Sequence, residues 1–184
     1  MTATAIEPAY ITPTGIYRDG YLGATEFIGG RYTGYRPYAD INKDIRADIK
    51  RAIKAQHLPD DITYSVTGES YSGGQTIHVE IRGLRDSQVR TPRQQVTGEI
   101  TRHTEYVLTP AAAELERRLR NLAEAYNRDN SNSMVDYFDT MYYLRIEFES
   151  EAQRAYRLQE AEKAKAKRAA ALEARKALAA AGAK

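Results

Sequence analysis

Four isoleucines spaced by four, Ile41, Ile45, Ile49 and Ile53, with Ala52 beside them, draw one apolar face of a helix. Asp40 is a favourable N-cap for it, and Pro59 closes the element because it cannot continue the hydrogen-bond ladder. The opposite side carries Lys43, Arg46, Lys50, Arg51 and Lys54. That side reads first as a solvated surface, with phosphate contact as the sharper reading. The period then changes to two. Ile62, Tyr64 and Val66 alternate with Thr63, Ser65 and Thr67, and Ile77, Val79 and Ile81 alternate with His78, Glu80 and Arg82. Two β-strands joined by a short polar turn predict an antiparallel hairpin.

Residues 83–98 are polar and read as a loose basic loop, with residues 100–108 as a weakly alternating further strand. Thr109 followed by Pro110 marks a helix start, because proline's missing N–H costs nothing at the first helical position. Leu115, Leu119, Leu122 and Tyr126 form its apolar stripe, and the Asn/Asp/Ser cluster at 127–133 ends it. Thr140, Tyr142, Leu144, Ile146 and Phe148 then alternate as a last strand. The order predicts an α+β fold: a small antiparallel sheet packed by two helices, followed by a long C-terminal helical extension. Ile45, Ile49, Val66, Val79, Leu119, Leu122, Leu144 and Ile146 are expected to share one core.

Length and composition bound this picture. A chain of 184 residues fits one domain with extensions. The expected divisions are a Tyr/Gly-rich arm over 1–38, an α+β domain over 39–149 and a basic tail over 150–184. The arm intersperses tyrosines from Tyr10 to Tyr38 with helix-breaking glycines, which suits an irregular segment with a short hairpin. With no cysteine, disulfides, thiolate metal sites and cysteine nucleophiles are excluded. No apolar run is long enough for export or membrane spanning, so no membrane partner is expected and a cytoplasmic location is.

Net charge changes the picture most. Residues 151–184 hold nine Lys or Arg against four Glu, a net of +5, which leaves about −3 for the first 150 residues of a chain whose total is +2. Fourteen of those 34 residues are alanine, the best helix former, and Leu158, Leu172 and Leu178 keep no heptad seam. A solvated basic helix follows, with Lys163, Lys165, Lys167, Arg168, Arg175 and Lys176 as its nucleic-acid-binding candidates.

Two blocks carry a family resemblance: Tyr64, Ser65, Ser70, Tyr71, Ser72, Gly73 and Gly74, and then Asp136, Tyr137, Phe138 and Asp139. Together with the basic helix before them, they resemble the large polyvalent protein-associated domain, type twenty-nine, over roughly residues 38–149. The resemblance implies an accessory role in phages or mobile elements, in the cytoplasm of a host cell, and no defined reaction. On their own terms, Gly73 and Gly74 suit a tight turn. Phosphate cradling is the alternative, but the Gly-Lys-Ser/Thr of a P-loop is missing.

No catalytic constellation is legible, and a non-enzymatic protein without cofactor or metal is expected. His57, His78 and His103 are scattered, and Ser65, Ser70 and Ser72 lack a nucleophile elbow. The reading that follows is an accessory protein binding a macromolecule, nucleic acid through the basic tail. Its alternatives are a protein-interaction module acting on a host or virion protein, and a metal-assisted nucleic-acid enzyme using Asp136 and Asp139 with Glu80 or Glu147.

Overall fold

The computed structural model describes residues 15–97 and 101–181. Residues 1–14, including Tyr10 of the expected arm, lie outside the described residues, as do the side chains of His103 and Lys176. The chain divides into two compact units, residues 1–148 and 149–184.

The first unit is α+β. Strands β1 (Gly15–Asp19) and β2 (Thr25–Gly29) form the hairpin expected within the arm, and β2 also pairs with the short β7 (Arg128–Asp129). Helix α1 (Tyr38–Lys54) follows. Its start differs from the Asp40 expectation. Pro37 provides the extended boundary residue, Gln75 Oε1 accepts the Tyr38 N–H at 2.8 Å, and Asp40 sits inside the first turn. Strands β3 (Thr63–Tyr71) and β4 (Gly74–Arg82) form the expected antiparallel hairpin, turning at Ser72 and Gly73, the latter at φ +98°.

The expected loop over 83–98 is instead a one-turn helix α2 (Asp86–Val89) and strand β5 (Arg90–Thr97), which pairs antiparallel with β6 (Thr101–Leu108). The described start of β5, Arg90 to Arg93, is exposed, so its residues need no apolar alternation. Helix α3 (Pro110–Glu124) is capped as expected: the Thr109 hydroxyl accepts the Ala112 N–H at 3.2 Å.

Strand β8 is shorter than its apolar pattern, covering Tyr143–Phe148, and it pairs parallel with β4. The expected all-antiparallel sheet is thereby corrected to a mixed one, in the order β3-β4-β8. The physical reason is the long connection through α2, β5, β6 and α3, which provides the crossover that parallel neighbours require. Upstream, Thr140 bridges Asp129, and Tyr142 turns fully inward to donate its hydroxyl to the Ala123 carbonyl at 2.5 Å.

One face of the β3-β4-β8 sheet meets α1 and α3 in the core. Ile41, Ile45 and Ile49 from α1, Val66, Val79 and Ile81 from the hairpin, and Leu119 and Leu122 from α3 are all buried. Leu144 and Ile146 pack on this cluster half-buried. The second unit holds α4 (Glu151–Ala181), opened by a reciprocal cap in which Ser150 Oγ accepts the Gln153 N–H and Gln153 Oε1 accepts the Ser150 N–H. No helix among the described residues is long and apolar enough to cross a membrane.

Candidate nucleic-acid interface

At about 1.5 Å per residue, the 31 residues of α4 extend over about 46 Å. Apart from half-buried Arg154, its described side chains are exposed. Turning the sequence at about 100° per residue sorts its charges. Arg154, Arg157, Lys165, Arg168 and Arg175 fall within an arc of about 100° that contains no acidic residue. Lys163, Lys167 and all four glutamates, Glu151, Glu160, Glu162 and Glu173, lie on the remainder of the circumference. The net charge of +5 therefore has a direction, which linear composition does not reveal. Leu172 shares the basic arc and Leu158 lies beside it, each 53% exposed.

The six candidate cations are not equivalent. Lys163 Nζ bonds Glu160 at 2.9 Å, which reduces its availability. Lys165, Lys167, Arg168 and Arg175 carry no ion pair among the described residues. At the N-terminal end, Arg157 and Arg154 approach the buried carboxylate of Glu149 at 2.5 and 3.5 Å, so the first turns of the stripe are fixed by an internal anion.

The family-motif residues occupy different places in the first unit. Tyr64 is half-buried and donates its hydroxyl to the Pro59 carbonyl at 3.1 Å; burial, and then the nearby Asp61, push its ionisation well above the ordinary phenol range. Ser65 lies opposite Glu80, Ser70 opposite Gln75, and Tyr71 opposite Gly74, all as ladder pairs. Ser72 and Gly73 are the hairpin tip. Gly73 thus serves the turn, and Gly74 opens β4.

The second motif block is a network of carboxylates and arginines. Asp139 accepts the Arg128 guanidinium at 3.0 Å and the Tyr137 hydroxyl at 3.2 Å. Arg128 also bonds Glu26 at 2.6 Å, and Arg18 bonds the other oxygen of Glu26 at 2.5 Å. These hydrogen bonds, Arg18's foremost, hold the 3%-exposed Glu26 below the usual carboxylate range. Asp136 is exposed, at φ +52°, and Phe138 is exposed beside it. Among the described residues no three His, Asp or Glu side chains are grouped to hold an ion. Arg128 and Tyr137 both engage Asp139 through Oδ2, so a metal at the Asp136–Asp139 pair would compete with that ion pair.

His57 offers its backbone carbonyl to Arg118 at 2.7 Å, and His78 stands 3.7 Å from Glu147 on the outward sheet face. They share no site. Sequence reasoning missed Glu26, Asn121 and Glu124, whose surroundings are assembled from distant parts of the chain. Comparison with family models, curated proteins and solved structures returns no match.

Proposed function

We propose that this chain is a non-enzymatic accessory protein that binds nucleic acid through the basic arc of α4. The observation that carries the reading is the segregation of five cations onto an acid-free face of an exposed helix. A polyanion gains most from such a face, because each phosphate neutralised releases condensed counterions. The phage or mobile-element setting rests on the family resemblance alone. Among its described side chains the helix offers no grouping that selects a base, so affinity is expected to depend on salt and little on sequence.

The test compares two variants of the full chain by fluorescence anisotropy on a DNA duplex over a salt series. Lys165→Ala/Arg168→Ala/Arg175→Ala removes the three cations of the arc that are not paired with Glu149, and Lys163→Ala/Lys167→Ala removes cations from the other face. The first should weaken binding and lower the salt slope by roughly 0.9 per lost phosphate contact, while the second changes both less. Equal effects from the two, or none from the first, refute the reading. A protein-interaction role is favoured by one observation, the exposure of Leu22, Met134 and Phe138, with Met134 at 89%. In that case binding to the partner should survive both sets of substitutions and depend weakly on salt.

A further inference from the structure

We propose that the pocket between the β1-β2-β7 sheet and the last turns of α3 binds a small amine that also carries an oxygen acceptor, an amino alcohol being the simplest case. The pocket measures about 310 Å³, at the lower end of the roughly 300–1,000 Å³ common for small-ligand sites. Its sheet wall is one cross-strand row: Tyr17 pairs with Phe27, and Phe27 with Asp129. The two rings lie 5.2 Å apart at an interplanar angle of 48°. Its helical wall includes Arg120, Asn121 and Glu124.

Three features define the ligand. The first is charge. Glu124 Oε2 accepts the Asn127 side-chain amide at 2.7 Å, and Asp129 Oδ1 accepts the Ser131 N–H at 3.0 Å. The second oxygen of each carboxylate has no hydrogen bond among the described residues. Arg120, the one cation lining the pocket among the described residues, is shared with Glu116, which it bonds at 2.6 Å. Burial, aided by the charge of Asp129 and opposed by Asn127 and Arg120, pushes the Glu124 carboxyl above its ordinary range. A cation between the two carboxylates relieves both burdens.

The second feature is the aromatic wall, whose ring faces attract a cation and whose apolar area suits alkyl substituents on nitrogen. Two carboxylates without a third ligand make a poor metal site, and the rings favour an organic cation. The third is Asn121. It is 9% exposed, it lines the pocket, and its Nδ2 is buried without a hydrogen-bond partner among the described residues. An unpaired buried donor is satisfied by an oxygen acceptor close to the charged nitrogen. This site belongs to the first unit and does not depend on the nucleic-acid reading of α4.

Choline and 3,3-dimethylbutan-1-ol test the proposal, since they share a shape and a hydroxyl and differ in charge. Titrated into the full chain in amine-free buffer, choline should saturate shifts of the Phe27, Asn121 and Asp129 amide NMR signals with a Kd of about 1 mM or tighter. The neutral alcohol should bind at least about tenfold more weakly, about 1.4 kcal/mol. Glu124→Gln and Asp129→Asn, which retain the neighbouring hydrogen bonds, should each weaken choline about tenfold, and Tyr17→Ala a few-fold. Tyr17 is 68% exposed, so Tyr17→Ala keeps the test open should a carboxylate variant fold poorly. Two results overturn the proposal: no saturable shift with choline or ethanolamine at about 20 mM, a concentration above any useful Kd, or equal binding of the neutral alcohol.

Discussion

Asp48 is the carboxylate whose removal should cost the fold most, and the structure allows the cost to be worked out. It sits on α1 with 4% of its surface exposed. Its Oδ2 accepts the Tyr126 hydroxyl at 2.7 Å and the Arg31 guanidinium, while Oδ1 is ion-paired with Arg51. Arg31 also donates to the Tyr126 oxygen at 2.9 Å, closing a triangle between the segment after β2, α1 and the end of α3. In Asp48→Ala the buried Tyr126 hydroxyl loses its acceptor, a penalty of roughly 1–3 kcal/mol. Arg31 and Arg51, with side chains 41% and 66% exposed, recover water and add less. The sum, about 2–4 kcal/mol, lies toward the lower part of the range for breaking a buried pair. With a urea m-value near 2 kcal/mol/M, the midpoint followed by circular dichroism should fall by about 1–2 M without a change in slope. Asp48→Asn keeps an acceptor for Tyr126 and should cost less than half as much. A midpoint shift below about 0.3 M for Asp48→Ala, or equal costs for the two variants, refutes the reasoning.

Three further outcomes follow from the same geometry. Glu114 should titrate at about 2, held down by hydrogen bonds from Arg117 and then Arg118. Its stabilisation is present above the ordinary carboxylate pKa and lost as pH falls toward 2, and carboxyl NMR of Arg117→Ala should show the titration returning upward. Gly29→Ala places a methyl group 2.4 Å from the carbonyl oxygens of Glu124 and Ala125. It should cost roughly 1–3 kcal/mol, read as a melting-temperature drop of about 2–4 °C per kcal/mol. Glu26 is depressed by Arg18 and Arg128, so the hairpin it anchors should gain amide exchange as pH falls through the carboxylate range, and Glu26→Gln should raise exchange at neutral pH. Exchange over residues 15–29 that tracks β3 and β4 at every pH would contradict this last outcome.

The elements most legible in the sequence were those with one buried face. The Ile41–Ile49 spacing gave α1, the Val66 and Val79 alternations gave the hairpin, and Thr109–Pro110 gave the start of α3, because each pattern answers directly to burial or capping. Strand β5 was hidden for the opposite reason: its described side chains face water, and its pairing with β6 is satisfied by backbone bonds that place no demand on side-chain type. The parallel direction of β8 was equally hidden. Alternation reports which face is buried and is blind to strand direction, which the crossover through α3 sets. The tail's helicity and charge were legible, whereas the acid-free arc becomes visible once the helical repeat is applied to the residues one by one.

Charge separates the two units in a way that bears on function. In the first unit several carboxylates are paired with arginines: Asp139 with Arg128, Glu26 with Arg128 and Arg18, and Asp48 with Arg31. An arginine held between carboxylates, as Arg128 is between Glu26 and Asp139, spends donors on the fold and has fewer left for a phosphate. The Glu26–Arg128–Asp139 network thus clasps β2, β7 and the 130–140 loop together. In α4 the opposite holds. The glutamates fall outside the basic arc, and Lys165, Arg168 and Arg175 carry no ion pair among the described residues, so a polyanion would meet them without breaking an internal pair. Contact through α4 therefore costs the fold little, whereas recruiting Asp139 to a metal first requires undoing its pairing with Arg128.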